Sequence, residues 1–308
     1  MMESSKLRGL RLAALAGITI ALMSSAGAAV AALARGDSAA DTNSAASLRA
    51  RYTQYQAQLA QNPYGRPLHL VSQEGDSTLR GDVYAVVDHP FGRVDAGLAE
   101  AASWCDVLIL PYNTKGCTAS PEGNGQMLSL FIGKKDQDST DRAYRLDFTF
   151  FPVARTADYL KRVLKSESGP MGTRDYDITL EAAPLDETHT FLHLGYSYGY
   201  GTLGKLAMQT YLGTFGASKV GFSSEGRDAA GKPQLVGGMR GVMERNTMRY
   251  FLAIQAYLDS LLAPAQARLD KRLNDWFTLA EKYPRQLHEM ERGEYIAQKQ
   301  RQARRPKG

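Results

Sequence analysis

Hydrophobic residues alternate with polar ones through much of the middle of this chain. Arg80 to Asp88, Met127 to Gly133, Ala143 to Val153, Arg174 to Ala183 and Thr188 to Gly199 all carry β-rich composition, the mark of strands. Tyr144, Leu146, Phe148 and Phe150 fall on one side of their strand and Arg145, Asp147 and Thr149 on the other. Tyr176, Ile178 and Leu180 likewise oppose Asp175, Asp177, Thr179 and Glu181. One apolar and one wet face predict an antiparallel sheet covered on a single side. The short polar loop Pro184–Glu187 makes the last two strands a hairpin. Lys134–Arg142 and Asp158–Thr173 are expected to be connections, and residues 67–72 a further short strand.

A helical period takes over elsewhere. Leu48, Tyr52, Tyr55 and Leu59 predict a helix that Asn62-Pro63 stops. Phe91 to Leu110 predicts one or two helices ending at Pro111, and Leu203, Leu206, Ala207, Tyr211 and Leu212 another. Short strands are expected at Lys219–Ser224 and Gln234–Gly241. A long amphipathic helix spans about Val242 to Leu262; Met248, Phe251 and Leu252 lie on its buried side, Glu244, Arg249 and Asp259 outside. Two more follow, one marked by Leu269, Leu273, Trp276, Phe277 and Ala280, the other charged and running from Leu287 to about Arg304. A sheet of five or six strands must cover its apolar face, and the long helix has the matching stripe. The fold class is therefore α+β: a curved antiparallel sheet wrapped around a long C-terminal helix, with extra helices at both ends.

Gly81-Asp82-Val83-Tyr84-Ala85-Val86-Val87-Asp88-His89-Pro90-Phe91, followed by Val94, Leu98 and Trp104, and then Met239 to Leu262, resemble the entry strand, first helices and closing helix of the START-like (SRPBCC, helix-grip) superfamily. The resemblance covers roughly residues 80–262. It implies a cavity between sheet and closing helix that holds a lipid or other hydrophobic small molecule. Tyr84, Phe131, Phe148, Phe150, Tyr176, Tyr196, Tyr198, Met248, Phe251 and Leu252 are the expected lining. Tyr196, Tyr198 and Tyr200 share a strand face with Leu192 and Leu194, apolar inside and hydroxyl-bearing toward one end. That gradient suits an amphipathic ligand, and equally a tyrosine-rich core.

The N-terminus adds a location. Lys6, Arg8 and Arg11 precede an apolar run from Leu12 to Met23, and Ala29-Val30-Ala31 and Ala32-Leu33-Ala34 place small residues where signal peptidase cuts. Residues 1–34 are expected to be a signal peptide, 35–47 a disordered linker, 48–66 the N-terminal helix, 67–262 the ligand-binding domain and 263–308 a helical extension. An exported, periplasmic protein is expected; the alternative is an uncleaved segment anchored in the inner membrane. Either location disfavours chemistry that needs ATP or NAD. In an oxidising compartment the isolated pair Cys105 and Cys117 reads as a disulfide. Net charge is +5, with Lys299, Arg301, Arg304, Arg305 and Lys307 gathered in one tail. Such a tail offers contact with an anionic membrane surface; no nucleic-acid partner is expected outside the cytoplasm.

Catalytic motifs are weak. Gly199-Tyr200-Gly201-Thr202-Leu203-Gly204 matches a dinucleotide turn but lacks the surrounding βαβ unit and the later acidic residue. His189 and His193 stand roughly 13 Å apart along a strand, too far for one metal, and are expected at the surface. Asp136, Asp138 and Asp141 lack the glycine and glutamate of a calcium loop. No cofactor or metal is expected. The pattern favours a binding role over catalysis. The rivals are a cyclase or dehydratase using Asp88, His89 or a cavity tyrosine in acid–base roles, and a membrane-proximal interaction protein that docks a partner through its C-terminal helices.

Overall fold

A computed structural model describes residues 43–122, 125–135, 137–202, 204–206 and 219–304. The expected signal peptide, most of the expected linker and the stripe from Ala207 to Leu212 lie outside the described residues. Helix α1 (Ala45–Ala60) starts on a cap in which Ser44 Oγ accepts the Ser47 N–H at 3.2 Å. Residues 45–47, expected in the linker, are therefore helical.

Strands β1 (Leu68–Glu74) and β2 (Thr78–Val87) form a hairpin, followed by α2 (Phe91–Gly97) and α3 (Ala101–Leu108). Six more strands complete one antiparallel sheet: β3 (Thr114–Glu122), β4 (Gly125–Ile132), β5 (Tyr144–Arg155), β6 (Leu160–Ser168), β7 (Thr173–Pro184) and β8 (Thr190–Tyr200). Their order is β1-β2-β8-β7-β6-β5-β4-β3. The sheet thus has eight strands rather than five or six. Strand β6 falls where a connection was expected, because Arg162 sits on its inner face between Leu160 and Leu164 and breaks the alternation. The Arg162 guanidinium donates to the carbonyls of Ala154 and Lys161, which lets it be buried there. Strand β3, an edge built from small and polar residues, was not expected either; its ladder with β4 supplies what its composition lacks.

A separate small hairpin, β9 (Ser224–Arg227) and β10 (Pro233–Leu235), leads into the long helix α4 (Gly238–Ser260). Helix α4 lies across β1, β2 and β8. They come close together at Gly81, where a Cβ would overlap Thr247 Oγ1 and stand 3.1 Å from Met243 Cγ. Helices α5 (Arg268–Ala280), α6 (Pro284–Leu287) and α7 (Arg292–Ala303) follow, so the charged helix expected from Leu287 begins only at Arg292. The inner sheet face, α2 to α5 and Tyr295 of α7 share one core. No helix among the described residues is long and apolar enough to cross a membrane.

Two polar expectations are corrected here. Glu244, expected outside, is 0% exposed and accepts the Phe222 and Ser223 N–H groups and the Ser72 hydroxyl, tying α4 to β1 and to the segment before β9. Lys299, expected in a solvated tail, is 1% exposed. Its Nζ donates to the carbonyls of Ile109, Pro111 and Thr114, each at 2.7 Å. Burial, reinforced by the nearby Lys115 charge, holds its pKa well below the ordinary lysine value.

Candidate functional site

Eight of the ten expected lining residues meet between the sheet and the helices. Phe148, Phe150, Tyr176, Tyr196 and Tyr198 come from the inner faces of β5, β7 and β8, and Met248, Phe251 and Leu252 from α4; all are buried in the one core. The tyrosines form a connected cluster. Tyr176 stacks on Tyr198 at 5.2 Å, Phe148 meets Tyr176 edge-on at 6.1 Å, and Tyr196 meets Tyr250 of α4 edge-on at 5.1 Å. The Tyr176 hydroxyl donates to Thr173 Oγ1 at 2.8 Å. Burial raises the pKa of Tyr176, Tyr196, Tyr198 and Tyr250, so all four remain neutral. Chemically this is a wall of aromatic faces with a few hydroxyls, half-open to solvent at Tyr250. These rings pack as core: the cavities of about 390, 1060 and 540 Å³ on this chain are lined by other side chains.

Tyr84 and Phe131 do not join them. Alternation puts Tyr84 on the opposite face of β2 from Val83 and Ala85, under α1, in a second core with Leu48, Leu59, Tyr159 and Phe191. Phe131, on the opposite face of β4 from Leu130, lines a cleft at the β3 end of the sheet. Both were assigned by composition, and strand parity overrules composition.

The outer face is also not wet throughout, because α1 folds back over it. Register aligns Tyr84, His193, Glu181 and Lys161 in one row across β2, β8, β7 and β6. His193, expected at the surface, is 7% exposed. Its Nδ1 contacts Glu181 at 2.7 Å, its Nε2 contacts Asp82 at 2.8 Å, and its ring stacks on Tyr84 at 4.4 Å. With a carboxylate on each nitrogen, the ring is the doubly protonated imidazolium. Burial alone would lower its pKa, but the hydrogen bonds to Asp82 and Glu181 outweigh that and raise it. Asp82 and Glu181 are lowered in turn: the His193 bond together with Arg80 for Asp82, and with Tyr159 for Glu181, overcomes the cost of burial. A polar cavity of about 390 Å³ adjoins this group, bordered by Arg51, Arg80 and Lys161. His193 has no spare nitrogen to act as a base, so the group is a charge clamp. Asp88 and His89 are not in this cavity or in the β3-end cleft; His89 is buried against Asp259 at 2.9 Å.

Cys105 of α3 and Cys117 of β3 form a disulfide with their Cα atoms 5.3 Å apart. It fastens the edge strand to the helix that covers it.

No family model matches the chain, and no curated protein matches it. Several solved structures of the START-like superfamily do. Human StAR-related lipid transfer protein 5 is 10% identical with a TM-score of 0.36, over 71% of this chain and 98% of that one. The Zhui aromatase/cyclase from Streptomyces is 15% identical with a TM-score of 0.31, over 71% and 95%. Norcoclaurine synthase from Thalictrum flavum is 13% identical with a TM-score of 0.32, over 47% and 87%. Likeness at this level concerns the fold alone. The helix-grip arrangement itself is read from this chain's strand order and from α4 lying across β1, β2 and β8.

Proposed function

We propose that this chain is an exported, non-enzymatic carrier for a lipid or other hydrophobic small molecule held between the inner sheet face and α4. The observation that carries the reading is the cluster of Tyr176, Tyr196, Tyr198 and Tyr250, four hydroxyl-bearing rings set into an otherwise apolar wall. Such a wall supplies contact area plus a few orienting polar groups, the usual make-up of a small-molecule site. About 300 Å² of apolar ligand surface removed from water would contribute about 7 kcal/mol before the costs of association. Phe148, Phe150, Met248, Phe251 and Leu252 are packed in the same core, so a ligand enters by parting α4 from the sheet on the side of half-buried Tyr250. In the same reading, Arg301, Arg304, Arg305 and Lys307 bring the protein to an anionic membrane surface during loading.

The test is organic extraction of protein purified under native conditions, followed by mass spectrometry, alongside a Tyr196→Ala variant. A stoichiometric lipid or aromatic molecule in the wild type, depleted in the variant, is the expected result. A protein that purifies empty, and takes up no hydrophobic molecule when offered a mixed lipid extract, would defeat the reading.

A further inference from the structure

A cavity lies outside the grip, and its lining contains a polar side chain that has no hydrogen-bond partner among the described residues. It is a cleft of about 1060 Å³ at the free edge of β3, walled by Ile109, Phe131, Leu269 and the Cys105–Cys117 disulfide. Gln302 of α7 lines it. That side chain is 6% exposed, yet both its Oε1 and its Nε2 are buried without a hydrogen-bond partner among the described residues. Leaving a buried donor and a buried acceptor unpaired is costly, and native folds rarely do it without a reason. A hydrophobic residue would fit this wall better than an amide. The three cations that also line the cleft are committed elsewhere: Arg272 to Asp106 at 2.7 Å, Arg145 to Asp147 at 2.8 Å, and Lys115 to the carbonyls of Tyr112 and Lys135.

We propose that this cleft is a distinct ligand site for a small amphipathic amide, whose carboxamide pairs with the Gln302 side chain once that side chain turns into the cleft, and whose apolar body lies against Ile109, Phe131 and Leu269. The chemistry follows from the complement of a primary amide. Gln302 presents one acceptor and one donor side by side, and a carboxamide answers both. An ionised carboxylate answers only the donor and sets its negative charge against Oε1. An alcohol satisfies one group at a time. The site is independent of the tyrosine wall, and neither proposal needs the other.

Calorimetric titration of the full chain with octanamide, octanoate and octanol is the experiment, repeated with Gln302→Leu, Gln302→Glu and Tyr196→Ala. Octanamide is expected to bind tightest to the wild type. Its affinity should fall about tenfold or more in both Gln302 variants, as when a buried hydrogen-bonding pair is broken, and stay unchanged in Tyr196→Ala. Gln302→Leu should also melt no lower than the wild type, because it removes two unsatisfied polar atoms. The proposal is overturned if octanamide does not bind, if both Gln302 variants bind it like the wild type, or if Tyr196→Ala alone abolishes binding.

Discussion

Replacing His193 by leucine tests whether the outer-face charge clamp holds the fold together. The imidazolium is the one group bridging Asp82 and Glu181, and its loss leaves two carboxylates facing each other under α1. Removing one partner from a buried ionic group costs about 3–5 kcal/mol. Asp82 keeps its paired contact with Arg80, and Glu181 keeps Tyr159 and Lys161, so the lower end, about 3 kcal/mol, is expected. For a unit of this size that lowers the melting temperature by about 6–12 °C.

The pH dependence gives a second reading of the same group. The folded-state pKa of His193 lies above its ordinary 6.5. Its contribution is therefore complete below that value and is lost as pH rises through the folded pKa. Asp82 and Glu181 are lowered from 3.8 and 4.5, so their contributions exist above those values and vanish as pH falls through the folded ones. The clamp is strongest in mild acid. Thermal melts followed by circular dichroism in steps across the acid and alkaline range should show the gap between wild type and His193→Leu widest near pH 6 and narrowing upward. A variant that melts within about 2 °C of the wild type near pH 6, or a gap that ignores pH, would refute this account.

Two further substitutions probe the long helix and the C-terminal clip. Gly81→Ala should cost about 1–3 kcal/mol in urea denaturation, because its Cβ would push Thr247 and Met243, and so α4, off the sheet; a neutral or stabilising result would mean that this contact is loose. Lys299→Met leaves three carbonyls around residues 109–114 without their donor, and should cost about 3 kcal/mol or more. Because the folded pKa of Lys299 lies below its ordinary 10.5, the unfolded chain binds the extra proton, and wild-type stability should gain a component that rises with pH toward that value. Parallel stability–pH curves for the two proteins would count against a depressed folded-state pKa for Lys299.

Periodic stretches were legible in the sequence because both faces of an element are written locally. The stripe Leu48, Tyr52, Tyr55, Leu59 does pack, and the alternations of β5, β7 and β8 do set the inner sheet face. The disulfide was expected from two isolated cysteines close together in the chain, and the hairpin at Pro184 from its turn. Strand β6 was hidden by Arg162, whose inward placement depends on the carbonyls of Ala154, eight residues away, and of neighbouring Lys161. Lys299 and Glu244 read as solvated because their partners lie far away in the chain.

The outer face shows the limit most plainly. Arg80, Asp82, Glu181 and His193 make a polar row like any solvated strand face, and the only local hint was two aromatic residues, Tyr84 and Phe191, on the same side. Sequence alone settled which residues share a face, since that is fixed by a two-residue or 3.6-residue repeat. Which of the two faces water reaches was decided by tertiary structure, when α1 laid Tyr52 against Phe191 and Tyr55 against Tyr84. Tyr52 and Phe191 lie more than a hundred residues apart in the chain, and no local pattern encodes their contact.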